Sequence, residues 1–213
     1  HAQSQLHRFL NCIGGYTRSK YTYSFAAAEA MVPHILGSYR TYLDTCTSWD
    51  SIEENTELFL CFGGVPLKNG QIAQGGTGSH YQKEKLIRSA EAGIKFVNFS
   101  PLKSDLLDQI KGEWLALRPN TDVAIMMGLA HTLYKENLYD AEFIKKYTEG
   151  FDIFLPYLLG DIDGTPKDAN WASDISEIKS DKIISLAKEM SSKRTMISVS
   201  WSLTRQDHGE QPF

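Results

Sequence analysis

Glu57-Leu58-Phe59-Leu60-Cys61-Phe62-Gly63-Gly64 is a short, almost wholly apolar run that stops on two glycines. With no polar alternation, it suits a strand covered on both faces, as in a parallel sheet. Two later runs read the same way. Ile94 to Phe99 ends at Ser100-Pro101, and Glu113 to Leu117 ends at Arg118-Pro119-Asn120. A fourth strand is expected over Thr195 to Ser200, mostly apolar with β-branched residues and no Gly or Pro. Helical patterns fall between these strands. They cover Gln82 to Ala92 with Gly93 as its C-cap, and Asp122 to about Glu136 with Asn120 as its N-cap. Asp140–Tyr147, Phe151–Leu159 and Asp181–Ser191 come next. The helix from Asp122 is apolar nearly all round, so it is expected to be buried. Strands alternating with helices predict an α/β fold: a doubly wound, mainly parallel sheet of the dinucleotide-binding kind.

Outward from this centre, residues 1–50 read as a helical leading segment, with helices at Gln3 to Cys12 and Phe25 to Leu36, the latter interrupted by Pro33. Residues 56–200 carry the alternation, and 201–213 form a polar loop that is expected to be truncated. The whole of 1–213 is read as a single α/β cofactor-binding domain. The chain opens on His1 and stops within a polar cluster, so it is expected to be a fragment of a larger, multidomain enzyme. Its 213 residues suffice for one substantial core. A net charge of −4, with no Lys/Arg block, argues against nucleic-acid binding. No apolar run reaches membrane-spanning length. Cys12, Cys46 and Cys61 are isolated and the six His are scattered, so no metal ligands are read from spacing. His131 reads as a satisfied core histidine.

The loops that leave the strands carry the functional reading. Gly63-Gly64-Val65-Pro66, Ser100-Pro101-Leu102-Lys103, Arg118-Pro119-Asn120-Thr121-Asp122 and Trp201 to Arg205 all extend from carboxyl ends of expected parallel strands. Those ends lie along one edge, where doubly wound sheets bind dinucleotides. The loops offer Gly amides, a helix N-terminus and Ser, Thr, Lys and Arg donors suited to a pyrophosphate. Each also has a plain structural use: Gly63-Gly64 as a tight turn, Asn120-Thr121-Asp122 as a helix cap, Ser100-Pro101 as a strand stop. There is no GxGxxG fingerprint, which argues against a standard NAD site. The C-terminal run is harder to assign to structure alone, since a solvated loop has no use for Trp201 and Arg205 so close to a strand end.

At these residues the chain resembles the dimethyl sulfoxide reductase family of molybdenum enzymes, in the branch holding trimethylamine-N-oxide and biotin or methionine sulfoxide reductases. The likeness runs through Ala26-Ala27-Ala28, Met31-Val32-Pro33-His34, Thr47-Ser48-Trp49, Pro119-Asn120-Thr121-Asp122-Val123-Ala124 and Gly128-Leu129-Ala130-His131-Thr132-Leu133. It continues in Trp201-Ser202-Leu203-Thr204-Arg205 and His208-Gly209-Glu210-Gln211. The resemblance implies the third domain of the molybdopterin oxidoreductase architecture, holding part of a bis-molybdopterin guanine dinucleotide cofactor with molybdenum. It places the protein's own metal ligand, a serine, before His1. The implied chemistry is two-electron oxygen-atom transfer from an S-oxide or N-oxide, the enzyme being inactive as this fragment.

By the same resemblance Arg205 and Trp201 are expected at the catalytic pocket. Gly63, Gly64, Pro66, Ser100, Pro101, Lys103, Pro119, Thr121, Asp122, Ser202 and Gln211 are expected around the cofactor. Implied partners are the remaining domains of the polypeptide, a small oxide substrate, and a cytochrome or other electron donor in the periplasm or cytoplasm of a bacterium. The chain departs from the family pattern at Val65-Pro66, at Ser100 and in the loop Asn69 to His80, so one guanine is expected to be held differently. The alternative of another class is a non-catalytic nucleotide-binding α/β module.

Overall fold

The computed structural model describes residues 2–70 and 78–213. At its centre every residue of strand β1 (Leu58–Phe62) is buried. Leu58, Leu60 and Phe62 enter one core, and Phe59 and Cys61 enter the other, the period-2 alternation of a strand covered on both sides. β2 (Lys95–Phe99) pairs with β1 in parallel, β3 (Glu113–Leu115) pairs in parallel with β2, and β4 (Thr195–Val199) pairs in parallel with the free side of β1. The order is therefore β3-β2-β1-β4. The chain winds outward from β1 to β3, then crosses back to lay down β4. That reversal puts a topological switch point between the carboxyl ends of β1 and β4.

The helices are α1 (Ala2–Cys12), α2 (Ala26–Leu36), α3 (Tyr39–Asp44), α4 (Trp49–Asn55), α5 (Gln82–Glu91), α6 (Asp122–Lys135), α7 (Ala141–Tyr147), α8 (Phe151–Leu159), α9 (Ala169–Ser176) and α10 (Ser180–Ser192). Ile52 of α4 and Leu86 of α5 pack with Phe59, Cys61 and Phe96 on one face. Ile125 and Leu129 of α6, Ala172 of α9, and Ile183 and Leu186 of α10 pack with Leu58, Leu60, Phe62, Val97 and Phe99 on the other. Burial pushes the Cys61 thiol pKa far up, as expected for a thiol used as an apolar core residue. No helix is long and apolar enough to cross a membrane among the described residues.

Several boundaries differ from the sequence reading. Pro33 lies inside α2 without interrupting it, because it removes one intrahelical bond while its carbonyl still accepts from Gly37 N–H. Asn120 is not the N-cap of α6. It adopts the left-handed φ of +66°, and the cap passes to Thr121, whose Oγ1 donates to Arg118 O at 2.6 Å. Ala92, not Gly93, caps α5, with Gly93 one residue beyond at φ +96°. β3 stops at Leu115, where Leu117 N–H turns back onto Leu115 O. His131 is buried as expected, but its Nε2 has no hydrogen-bond partner, so it is not a satisfied histidine. α3, α4 and α9 were not expected; each has eight residues or fewer, which leaves little length for a helical period to show. Of the expected Gly-rich loop, Gly75 and Gly76 lie outside the described residues.

Candidate functional site

The two glycines closing β1 are shaped by what presses on them. Gly63 has φ +79°, and a Cβ there would lie 2.5 Å from Leu203 Cδ1 and 2.8 Å from Ser200 Cβ. Gly64 has φ +74°, and a Cβ would lie 2.5 Å from the Asp105 carbonyl oxygen. Only a residue without a side chain lets these three loops meet. The Gly63 amide is already spent, donating to Phe99 O at 2.8 Å, while Ser200 N–H donates to Phe62 O at 2.9 Å. Gly63 thus contributes space where a phosphate-binding amide was expected.

Beside it a cleft of about 230 Å³ is lined by Gly63, Ser100, Pro101, Pro119, Asp122 and Ser202, all expected at the cofactor, together with Asp105, Asn120, Leu203 and Gln206. Asp122 opens α6 and is only 6% exposed. Burial pushes its carboxyl up to about 6, only partly opposed by its own backbone N–H. Ser100 is equally enclosed, and its hydroxyl donates to Asp105 Oδ2 at 2.7 Å, so it braces the turn after β2.

Ser202 also lines a second, adjoining cleft of about 570 Å³, with Ser24, Phe25, Lys68, Asn69, Ser200, Trp201 and Arg205. Trp201 stacks on Phe25 with ring centroids 4.2 Å apart, and Arg205 Nε donates to Ser24 O at 2.7 Å. The segment between α1 and α2 therefore anchors the expected catalytic pair. The 3₁₀ turn Trp201–Thr204 after β4 swings Ser202 between both clefts, held by its Oγ donating to Ser200 Oγ at 3.0 Å.

Five expected residues stand outside these clefts. Gly64 packs under Asp105, and Pro66 is buried ahead of the 3₁₀ turn Leu67–Asn69. Thr121 is buried beside Asp122 with its hydroxyl used on Arg118 O. Gln211 is exposed in the last turn, where its N–H donates to His208 O. Lys103 lines a different cavity, on the β3 side of the sheet. Among residues the sequence did not single out, Gln206 sits in the polar C-terminal run and could have been found there. Ser24 and Phe25 carry no local signal.

Comparison with known proteins agrees with this architecture. The model of the family described as molybdopterin oxidoreductase matches residues 1–213. The chain is 41% identical, over all of its length and 29% of the relative's, to a biotin sulfoxide reductase of Cereibacter sphaeroides. It is 41% identical over 97% of its length to a dimethyl sulfoxide/trimethylamine N-oxide reductase of Rhodobacter capsulatus, and 37% identical over 99% to a trimethylamine-N-oxide reductase of Haemophilus influenzae, covering 25% of each. Among solved structures, acetylene hydratase from Pelobacter acetylenicus superposes with a TM-score of 0.66 at 22% identity over 97% of this chain and 25% of that one, a likeness of fold. The chain thus spans between a quarter and three-tenths of the length of these curated relatives.

Proposed function

The chain belongs to the molybdopterin oxidoreductase family, and from that premise we propose that it forms the dinucleotide-binding part of an enzyme that reduces small S-oxides or N-oxides. The observation that carries this reading is the convergence of Gly63, Ser100, Pro119, Asp122 and Ser202 on one cleft beside the switch point. Relatives named as biotin sulfoxide and dimethyl sulfoxide/trimethylamine N-oxide reductases support the substrate class.

The residues present fit a guanine dinucleotide. A buried carboxylate at a helix start complements the adjacent N–H donors of a guanine edge, and Asp122 is such a group. Gly63 lets the loop after β4 close against β1, which sets Ser202 at this cleft. Pro119, Pro101 and Ser202 complete the walls. In this reading the cofactor is molybdopterin in its guanine dinucleotide form with molybdenum, and when bound it supplies two-electron oxygen-atom transfer. The protein positions and polarises. With Nε tied to Ser24 O, the remaining guanidinium donors of Arg205 are those left for the partly negative oxygen of an S–O or N–O group. The Trp201–Phe25 stack gives the apolar part of the substrate a rigid wall. Reducing equivalents come from a cytochrome or another donor.

The test is Arg205→Ala and Arg205→Lys in the complete enzyme. Arg205→Ala is expected to lower kcat/KM for oxide reduction by about 10²-fold or more, with partial recovery in Arg205→Lys and unchanged molybdenum and guanine content. Unaltered kinetics would remove Arg205 from the mechanism. A complete protein that retains guanine nucleotide but carries no molybdenum would instead be the non-catalytic module.

A further inference from the structure

On the β3 side of the sheet, apart from both clefts, lies a cavity of about 350 Å³ that the oxide-reductase reading does not use. Its lining includes Asn98, Lys103, Leu107, Asp108, Lys111 and Trp114. Val97 and Phe99 belong to the α6 core and Phe96 to the α5 core, so strand alternation puts the Asn98 side chain on the α5 face. Trp114 is its cross-strand neighbour in register, fixed by its indole N–H donating to Ser100 O at 2.8 Å. Asn98 is 1% exposed, and neither its Nδ2 nor its Oδ1 has a hydrogen-bond partner. A buried carboxamide with both ends unmet costs free energy that nothing within the described residues returns.

The rim is built as well. Lys111 holds the left-handed φ of +49°, a strained conformation for a lysine. The next residue, Gly112, comes so near the sheet that a Cβ would collide with the Leu106 side chain and lie 3.1 Å from Phe96 Cβ. The loop is thereby pressed down beside the orphaned amide, with two lysines and one aspartate around it, an excess of positive charge.

We propose that this cavity binds a small organic anion bearing a cis-amide edge: a lactam, ureide or primary carboxamide carrying a carboxylate. A ligand with donor and acceptor side by side meets both atoms of Asn98 at once. A carboxylate alone leaves Oδ1 without a donor, and an ammonium leaves Nδ2 without an acceptor. The anionic group faces Lys103 and Lys111, and Leu107 and Trp114 take the apolar body.

The probe is 5-oxoproline, with 2-pyrrolidinone (amide edge, no charge) and cyclopentanecarboxylate (charge, no amide) as its two halves. Binding is measured by calorimetry and ligand-observed NMR on the complete protein. The expected result is saturable 5-oxoproline binding with a Kd of about 1 mM or tighter, and each half-probe at least about tenfold weaker. Asn98→Leu should abolish the preference for 5-oxoproline over cyclopentanecarboxylate, and Lys111→Gln should weaken the two anions while sparing 2-pyrrolidinone. Should Asn98→Leu fail to fold, Asn98→Asp, which keeps the shape, cancels the excess of positive charge and removes the amide donor, must also lose 5-oxoproline. Absence of saturable binding to the unmodified protein would overturn the proposal. So would equal affinity for cyclopentanecarboxylate, or a crystal structure of the complete protein with only water or another part of its polypeptide against Asn98.

Discussion

Gly63 and Asp122 show how single residues trade stability against a binding surface. Gly63→Ala meets two costs at once, a positive φ and a Cβ 2.5 Å from Leu203 Cδ1. The first is worth roughly 1 kcal/mol and the second about 1–3 kcal/mol. Gly93, at φ +96° with nothing within 4 Å of a Cβ, meets only the first. Chemical unfolding of the two alanine variants should therefore separate them by about 1–3 kcal/mol, with Gly63→Ala the less stable. Equal midpoints would mean that the switch-point loops relax at no cost. Asp122 works through charge. Its folded-state carboxyl stands at about 6 against an ordinary 3.8, so burial disfavours the ionised form. Well below the unfolded value of 3.8 the group is neutral folded or unfolded and costs nothing. From about pH 3 up to 6 the unfolded chain ionises first, and stability falls as pH rises. Above 6 the full cost is present, on the order of 3 kcal/mol. Asp122→Asn should accordingly stabilise the cofactor-free protein at pH 7.5 and give little or no gain at about pH 3. A gain independent of pH would remove the buried charge as its cause.

Helix crossings decide more than helix propensity. Gly128 stands within α6 where α9 crosses, and a Cβ there would lie 2.7 Å from Ala172 Cβ and 3.3 Å from Ile183 Cγ2. Alanine would gain about 1 kcal/mol of helix propensity, but the contact is shorter than carbon atoms tolerate and overpacking costs about 1–3 kcal/mol. Gly128→Ala is expected to lower the unfolding midpoint, and Gly128→Val to lower it further. A stabilised Gly128→Ala would show that α6 and α9 can part freely. The same element explains what was hard to read. α9 is two turns long, begun by Asp168, whose side chain accepts from Asn170 and Trp171 N–H. Its apolar content is too small to display a period, yet it supplies Ala169 and Ala172 to the main core.

Across the molecule, apolar surface is distributed unevenly. α1 has no buried residue, and Leu6, Phe9 and Ile13 are 56%, 60% and 64% exposed. An eleven-residue helix with an uncovered apolar stripe is marginal in water. In the 213-residue chain by itself, amide hydrogens of α1 should exchange within the fastest class while β1 and β2 stay protected. Within a longer polypeptide of the kind its curated relatives form, α1 should gain protection. Protection of α1 in the isolated chain equal to that of β1 would show that its stripe is covered from within.

The apolar run Leu58–Phe62 and its successors determined the parallel sheet by themselves, because strands covered on both faces have no polar face to alternate and helices must fill the gaps between them. The polar residues after the strand ends were legible for the same reason: parallel strands bring their carboxyl ends to one edge. The strand order, and hence which ends adjoin, came only with tertiary structure. It decided that Gly63 yields space rather than an amide, that Lys103 faces a separate cavity, and that Ser24 and Phe25 reach Arg205 and Trp201. These are contacts between residues far apart in the chain, set by how loops pack at a switch point, and local propensity carries no record of them.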